Sequence, residues 1–148
     1  INNFLPNRPR TYAQLAYHIF NIADAWLEHE VDHSPLKEGA YNRVPPPEMD
    51  TKAKVLAYGE DVGRRLDAWW KAEGTKTNFQ DKASVYYGDQ SKLEFFERTT
   101  WHSGQHVRQY KLVLETLGLT PDKPLPESIW EGLPMPVKVW DDGKPFAA

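Results

Sequence analysis

His102 and His106 stand four residues apart in the segment 101–109, Trp-His-Ser-Gly-Gln-His-Val-Arg-Gln. Residues at i and i+4 lie one above the other on a helix face, roughly 5–6 Å apart at Cβ, so two imidazoles in this register can share one metal ion. His18 follows Leu15 by three residues and precedes Ile22 by four, so helical phase turns it toward an apolar interior as well. Burying three imidazoles without partners costs roughly 1–3 kcal/mol each. A shared divalent ion removes that cost. Three neutral histidines leave the ion its full charge and at least one open position, the arrangement of catalytic rather than structural zinc sites. His18, His102 and His106 are therefore the candidate metal ligands.

A second metal pattern competes with this one. His29-Glu30-Val31-Asp32-His33 fits H-E-x-x-H, in which two histidines hold zinc and the glutamate acts as general base. Pro35 places this segment at a fraying helix end, Asp32 adds an unexplained charge, and Leu36 stands where the extended motif needs glycine. A solvated helix end whose histidines meet the negative pole accounts for it better. Ser103 lacks the setting of a nucleophile; with Gly104 it reads as a small-residue patch that lets another helix approach. Gln109 and Tyr110, about one turn beyond His106, are the candidate catalytic residues. Tyr17, Gln105 and Arg108 can supply further hydrogen bonds at the mouth of the site, and Asp24 or Glu28 can serve as a general base.

Three helices are expected to position these groups. Thr11 with Gln14 forms a capping box, and Leu15, Ile19, Ile22, Ala23, Trp26 and Leu27 keep helical spacing to about residue 30. Residues 34–49 contain Pro35, Gly39 and three consecutive prolines from Pro45, which forbid regular helix. A second helix is expected after Asp50, with Val55, Gly59, Val62, Leu66 and Trp69 on one face to Gly74, and with Gly59 and Gly63 permitting a close approach. Residues 75–90 read as a loop with a short extended piece at 85–87. Ser91 with Glu94 opens the last long helix, on which Phe96, Thr99, Ser103, His106, Tyr110, Val113 and Leu117 repeat until Gly118 caps it. Beyond it, one turn of helix is expected near 127–132 and a hairpin around Asp141-Asp142-Gly143.

The pattern predicts an all-α fold, an antiparallel up-down helical bundle formed by one domain over residues 1–148. Residues 1–10 read as a linker, 11–119 as bundle and 120–148 as an irregular proline-rich tail. Such bundles close with four helices. The chain opens at Ile1, so the missing helix is expected upstream, from a partner chain such as a second copy, or from the tail. With 18 basic and 21 acidic residues and no long run of either sign, nucleic acid is not an expected partner. No apolar run reaches the roughly 20 residues of a membrane span, so no membrane partner and a cytoplasmic home are expected. With zero cysteines, disulfides, thiolate ligands and a cysteine nucleophile are excluded. Trp26, Trp69, Trp70 and Trp101 read as core.

Leu15-Ala16-Tyr17-His18-Ile19 in the first helix and His102-Ser103-Gly104-Gln105-His106-Val107-Arg108-Gln109 in the last give the chain a likeness. Over residues 10–119 it resembles the DinB-like superfamily of four-helix-bundle metalloproteins. The resemblance implies a divalent metal held by one histidine of the second bundle helix and an H-x3-H pair of the last, here His18, His102 and His106. It also implies a long helix preceding the one that carries His18. Members include mycothiol- and bacillithiol-dependent transferases and enzymes related to maleylpyruvate isomerase. The expectation is a metal-dependent enzyme, with zinc ahead of nickel or iron, that activates a low-molecular-weight thiol for transfer to, or isomerisation of, a small electrophile. A metal-dependent hydrolase of a small amide or ester and a non-catalytic metal-binding or interaction module are the alternatives.

Overall fold

The computed structural model describes residues 2–5 and 8–140. Its long elements are three α-helices: α1 (Tyr12–Val31), α2 (Lys52–Trp69) and α3 (Lys92–Thr116). Each start is set by a side-chain cap. Thr11 and Ser91 form reciprocal capping boxes with Gln14 and Glu94, while Thr51 accepts from the Lys54 amide. α1 is the central helix, packed against both α2 and α3. Its apolar stripe is correspondingly wide, with Leu15, Ile22, Ala25, Trp26 and Leu27 nearly inaccessible. Trp26 meets Trp69 of α2 edge-on at 4.5 Å and Phe96 of α3 at 4.8 Å, joining all three helices in one aromatic cluster. Trp70 stacks on Phe96 at 5.8 Å yet stays half exposed, at the margin of this core.

α2 continues past Trp69 into a π-turn, Trp70–Gly74, where the Trp70 ring lies against Gly74. The two glycines of α2 differ. A Cβ on Gly59 would sit 2.5 Å from the Phe20 ring, so this glycine admits the close approach of α1. Gly63 has open space around its Cβ direction and makes no such approach, contrary to the expectation for the pair.

The helical expectation needs one amendment. Residues 75–90 are not a plain loop: β1 (Lys82–Val85) pairs antiparallel with β2 (Gly88–Ser91), with Lys82 opposite Ser91 and Val85 opposite Gly88. Tyr86 and Tyr87 form the turn, closed by Gly88 at φ +130°, and the alternation that betrays a strand is too short here to read. Leu36, from the proline-rich loop, bridges to Val85 and is buried.

Residues 2–5 and 8–10 are likewise more than a linker. Phe4 bridges to Thr11, the Leu5 amide donates to the Arg10 carbonyl, and Leu5 packs with Leu15 and Val113. α3 ends as expected, with Gly118 left-handed at φ +69°. In the tail a 3-10 turn forms over Glu127–Trp130; the hairpin expected at 141–143 lies outside the described residues. Trp130 and Met135 press on Gly104, so this small residue admits the tail, while Ser103 donates to the Ile19 carbonyl and ties α3 to α1.

A groove of about 760 Å³ is walled by α1, the start of α2, the end of α3 and the tail, with Ala16, Phe20, Val55, Tyr110, Leu114 and Leu125 among its lining. No fourth long helix occurs among the described residues, and no described helix is long and apolar enough to cross a membrane.

The glycines give opposite expectations for one chemical change. Gly63→Ala should stabilise the fold by up to about 1 kcal/mol through helix propensity. Gly59→Ala should destabilise it by displacing Phe20. Urea denaturation of both variants checks this, and equal shifts would contradict the packing of α1 on α2.

Candidate metal centre

α1 supplies His18, and α3 supplies His102 and His106, on faces that meet. The His18 ring lies 4.4 Å from that of His106 and 5.7 Å from that of His102, and the α3 pair are 4.9 Å apart between centroids. One ring nitrogen from each lies within 4.8 Å of the others, the one group of three metal-ligating side chains that converges among the described residues. Metal–nitrogen bonds of about 2.0–2.1 Å place tetrahedral ligand atoms roughly 3.4 Å apart, so a bound ion draws the rings slightly inward. These three residues can hold a metal ion.

Electrostatics favour the neutral ligand form. Burial, then the neighbouring His106, Arg10 and His102, push the His18 imidazole down to about 3. Burial, His106, Arg98 and Arg10 push His102 down to about 3 as well. Both are lone-pair donors at neutral pH. His102 Nδ1 is buried with no hydrogen-bond partner among the described residues, which a metal would supply.

The His106 tautomer is set by a chain of hydrogen bonds. Gln109 Nε2 donates to the Val139 carbonyl at 2.9 Å, which turns its Oε1 toward His106 Nδ1 at 2.7 Å. An amide oxygen only accepts, so Nδ1 carries a proton, and in the neutral ring the lone pair falls on Nε2. Gln109 thus orients the His106 ring.

Gln105 and Arg108 also hold the tail. Gln105 Nε2 donates to the carbonyls of Lys138 and Val139, and Arg108 Nη1 donates to Gln105 Oε1 and the Pro136 carbonyl. The tail therefore covers one side of the centre.

Other candidates lie elsewhere. Tyr110, one residue and about 100° round the helix from Gln109, lines the apolar groove instead and packs with Leu5, Leu15 and Val113. Tyr17 stacks on Tyr58 at 4.9 Å. Asp24 accepts from Tyr58 and Arg65, and Glu28 pairs with Arg43, so neither faces the histidines. The H-E-x-x-H segment does not assemble. α1 ends at Val31, and exposed His33 takes φ +53° beyond it, off the helical register the motif requires. Glu30 is buried between His29 and Lys92; burial alone would raise its carboxyl, but those two partners hold it below its ordinary value.

A cavity of about 450 Å³ opens over the three histidines. Arg10, Tyr41, Tyr86, Arg98 and Trp140 line it. A signal existed for Arg98, four residues before His102 and so on its face. Tyr41 and Trp140 arrive through irregular chain that no periodicity describes. No protein-family model, curated protein or solved structure matches this chain.

The purified protein should bind about one divalent ion per chain, measured by metal analysis, and His102→Ala with His106→Ala should abolish binding. Gln109→Leu should retain the fold but weaken affinity roughly 10–100-fold, the usual effect of losing a ligand's hydrogen-bond partner. Unchanged affinity in Gln109→Leu would contradict its role in setting the tautomer.

Proposed function

We propose that this chain is a metal-dependent enzyme of the DinB-like kind, its three long helices forming part of an antiparallel up-down bundle. In this reading it activates a low-molecular-weight thiol for transfer to, or isomerisation of, a small electrophile. The observation that carries the reading is the convergence of three imidazoles beneath a cavity of ligand size. Zinc is the preferred ion, with nickel or iron also suited to imidazole donors. A divalent ion held there supplies Lewis acidity, lowering the pKa of a bound thiol from about 8.5, or of bound water to about 7.

The choice of thiol over water rests on the rest of the lining. Metal-activated water needs no separate base, but hydrolysis of an amide or ester also needs an acid to protonate the leaving group, and no carboxyl group lines the cavity among the described residues. A thiol gives its proton to solvent and attacks an electrophilic carbon as thiolate without such an acid. The chain has no cysteine, so the sulfur comes with a cosubstrate. In transfer the sulfur forms a bond to the electrophilic carbon and the leaving group departs; in isomerisation the same sulfur adds and is later expelled. His18, His102 and His106 hold the centre, Gln109 fixes the orientation of His106, and the tail carbonyls at Pro136, Lys138 and Val139 keep Gln105, Arg108 and Gln109 in place.

Turnover of a small electrophile such as 1-chloro-2,4-dinitrobenzene by metal-loaded protein should require an added thiol, and should fall at least about 100-fold in His106→Ala. Equal turnover with and without thiol, or an unaffected variant, would overturn the reading.

A further inference from the structure

The cavity over the histidines is cationic apart from any metal, and the proposed reaction does not use that charge. Arg10 lines it from the residue before the Thr11 cap, and Arg98 from the turn of α3 before His102. Both are close enough to the imidazoles that, after burial and His106, their charges help to keep His18 or His102 neutral.

The way each arginine is held leaves donors over. The Arg98 guanidinium lies 4.2 Å over the Tyr87 ring and 5.7 Å from that of Tyr41. Stacking occupies the face of a guanidinium and leaves its in-plane N–H groups for an acceptor. Arg98 Nη1 is buried with no hydrogen-bond partner among the described residues. Arg10 gives one N–H to Asn42 Oδ1 at 3.2 Å and has no acidic partner among the described residues. Burial holds its guanidinium below the ordinary arginine value, which a bound anion would reverse.

Three arginines elsewhere are treated differently. Arg43 pairs with Glu28, Arg64 with Asp61, and Arg65 with both Asp24 and Asp61. No Asp or Glu lines this cavity among the described residues, although the chain as a whole is net acidic. Two guanidinium groups with spare donors, set beside an open metal position in about 450 Å³, match a small molecule with an electron-rich end and an anionic end.

We propose that Arg10 and Arg98 form an anion subsite beside the metal centre, so that the substrate or thiol taken by this cavity carries a carboxylate or phosphate group. This deepens the proposed function and rests on it for the view that the cavity accepts a small molecule.

Calorimetric titrations of the metal-loaded full chain test it with four probes: 3-mercaptopropionate, its neutral counterpart 2-mercaptoethanol, succinate and inorganic phosphate. The charged thiol should bind at least about tenfold more tightly than the neutral one, the gain expected of a charge-assisted hydrogen bond. Arg98→Met and Arg10→Met should each remove most of that preference while metal content stays unchanged. Arg10 lies outside the helices, which keeps the test available if Arg98→Met fails to fold. The tighter of succinate and phosphate identifies the anionic group. Equal affinity for the two thiols, or a preference that survives both substitutions, would overturn the subsite and leave the thiol reading standing. Succinate or phosphate binding that depends on the arginines, without binding of either thiol, would support the subsite and sink the thiol reading.

Discussion

His18 hangs from α1 while His102 and His106 hang from α3, so nothing brings their nitrogens together except the packing of one helix on the other. That packing is close where it matters. Ser103, between the two α3 histidines, is small enough for α1 to approach and donates its hydroxyl to the Ile19 carbonyl, one residue beyond His18. At the far end the aromatic cluster of Trp26, Trp69 and Phe96 fixes the same pair of helices against α2. The polar centre is thus held by apolar packing on one side and by Leu5, Leu15 and Val113 on the other. Polar groups buried between such anchors cannot reorganise freely, and burial keeps His18 and His102 neutral.

The irregular segments complete what the helices begin. Tyr41, from the proline-rich loop, is buried, bonds Thr99 at 3.1 Å and sets its ring 5.7 Å from His102. The tail carbonyls orient Gln109, which orients His106. The hairpin turn sets Tyr87 under Arg98, and the segment before α1 supplies Arg10. Helices therefore place the three histidines, while loops place most of what surrounds them, the usual division between a rigid scaffold and the chain that shapes a site.

Much of this was legible in the sequence for a physical reason. Capping boxes at Thr11 and Ser91 and the stop at Gly118 are local chemistry, so three helix boundaries could be read from a few residues each. The i, i+4 pair and the phase of His18 follow from the same 3.6-residue period. Contacts between distant segments left no such trace. Nothing in residues 34–49 announces that Tyr41 will pack on Thr99, and nothing in residues 82–91 alternates strongly enough to announce a hairpin. Tyr110 illustrates a finer limit: adjacent to Gln109 in sequence, it faces a different cavity because one residue is more than a quarter turn. Gly104 shows another, since a small residue signals a close approach without saying whether helix or tail makes it.

The central claim is that three imidazoles from two helices share one ion and leave it an open position. X-ray absorption at the metal edge of the loaded, purified chain measures this directly. The account predicts a first shell of nitrogen and oxygen at about 2.0–2.1 Å for zinc, with outer-shell scattering that requires three imidazoles and no sulfur. A shell fitted by fewer than three imidazoles, or by a set completed entirely by protein ligands, would contradict it.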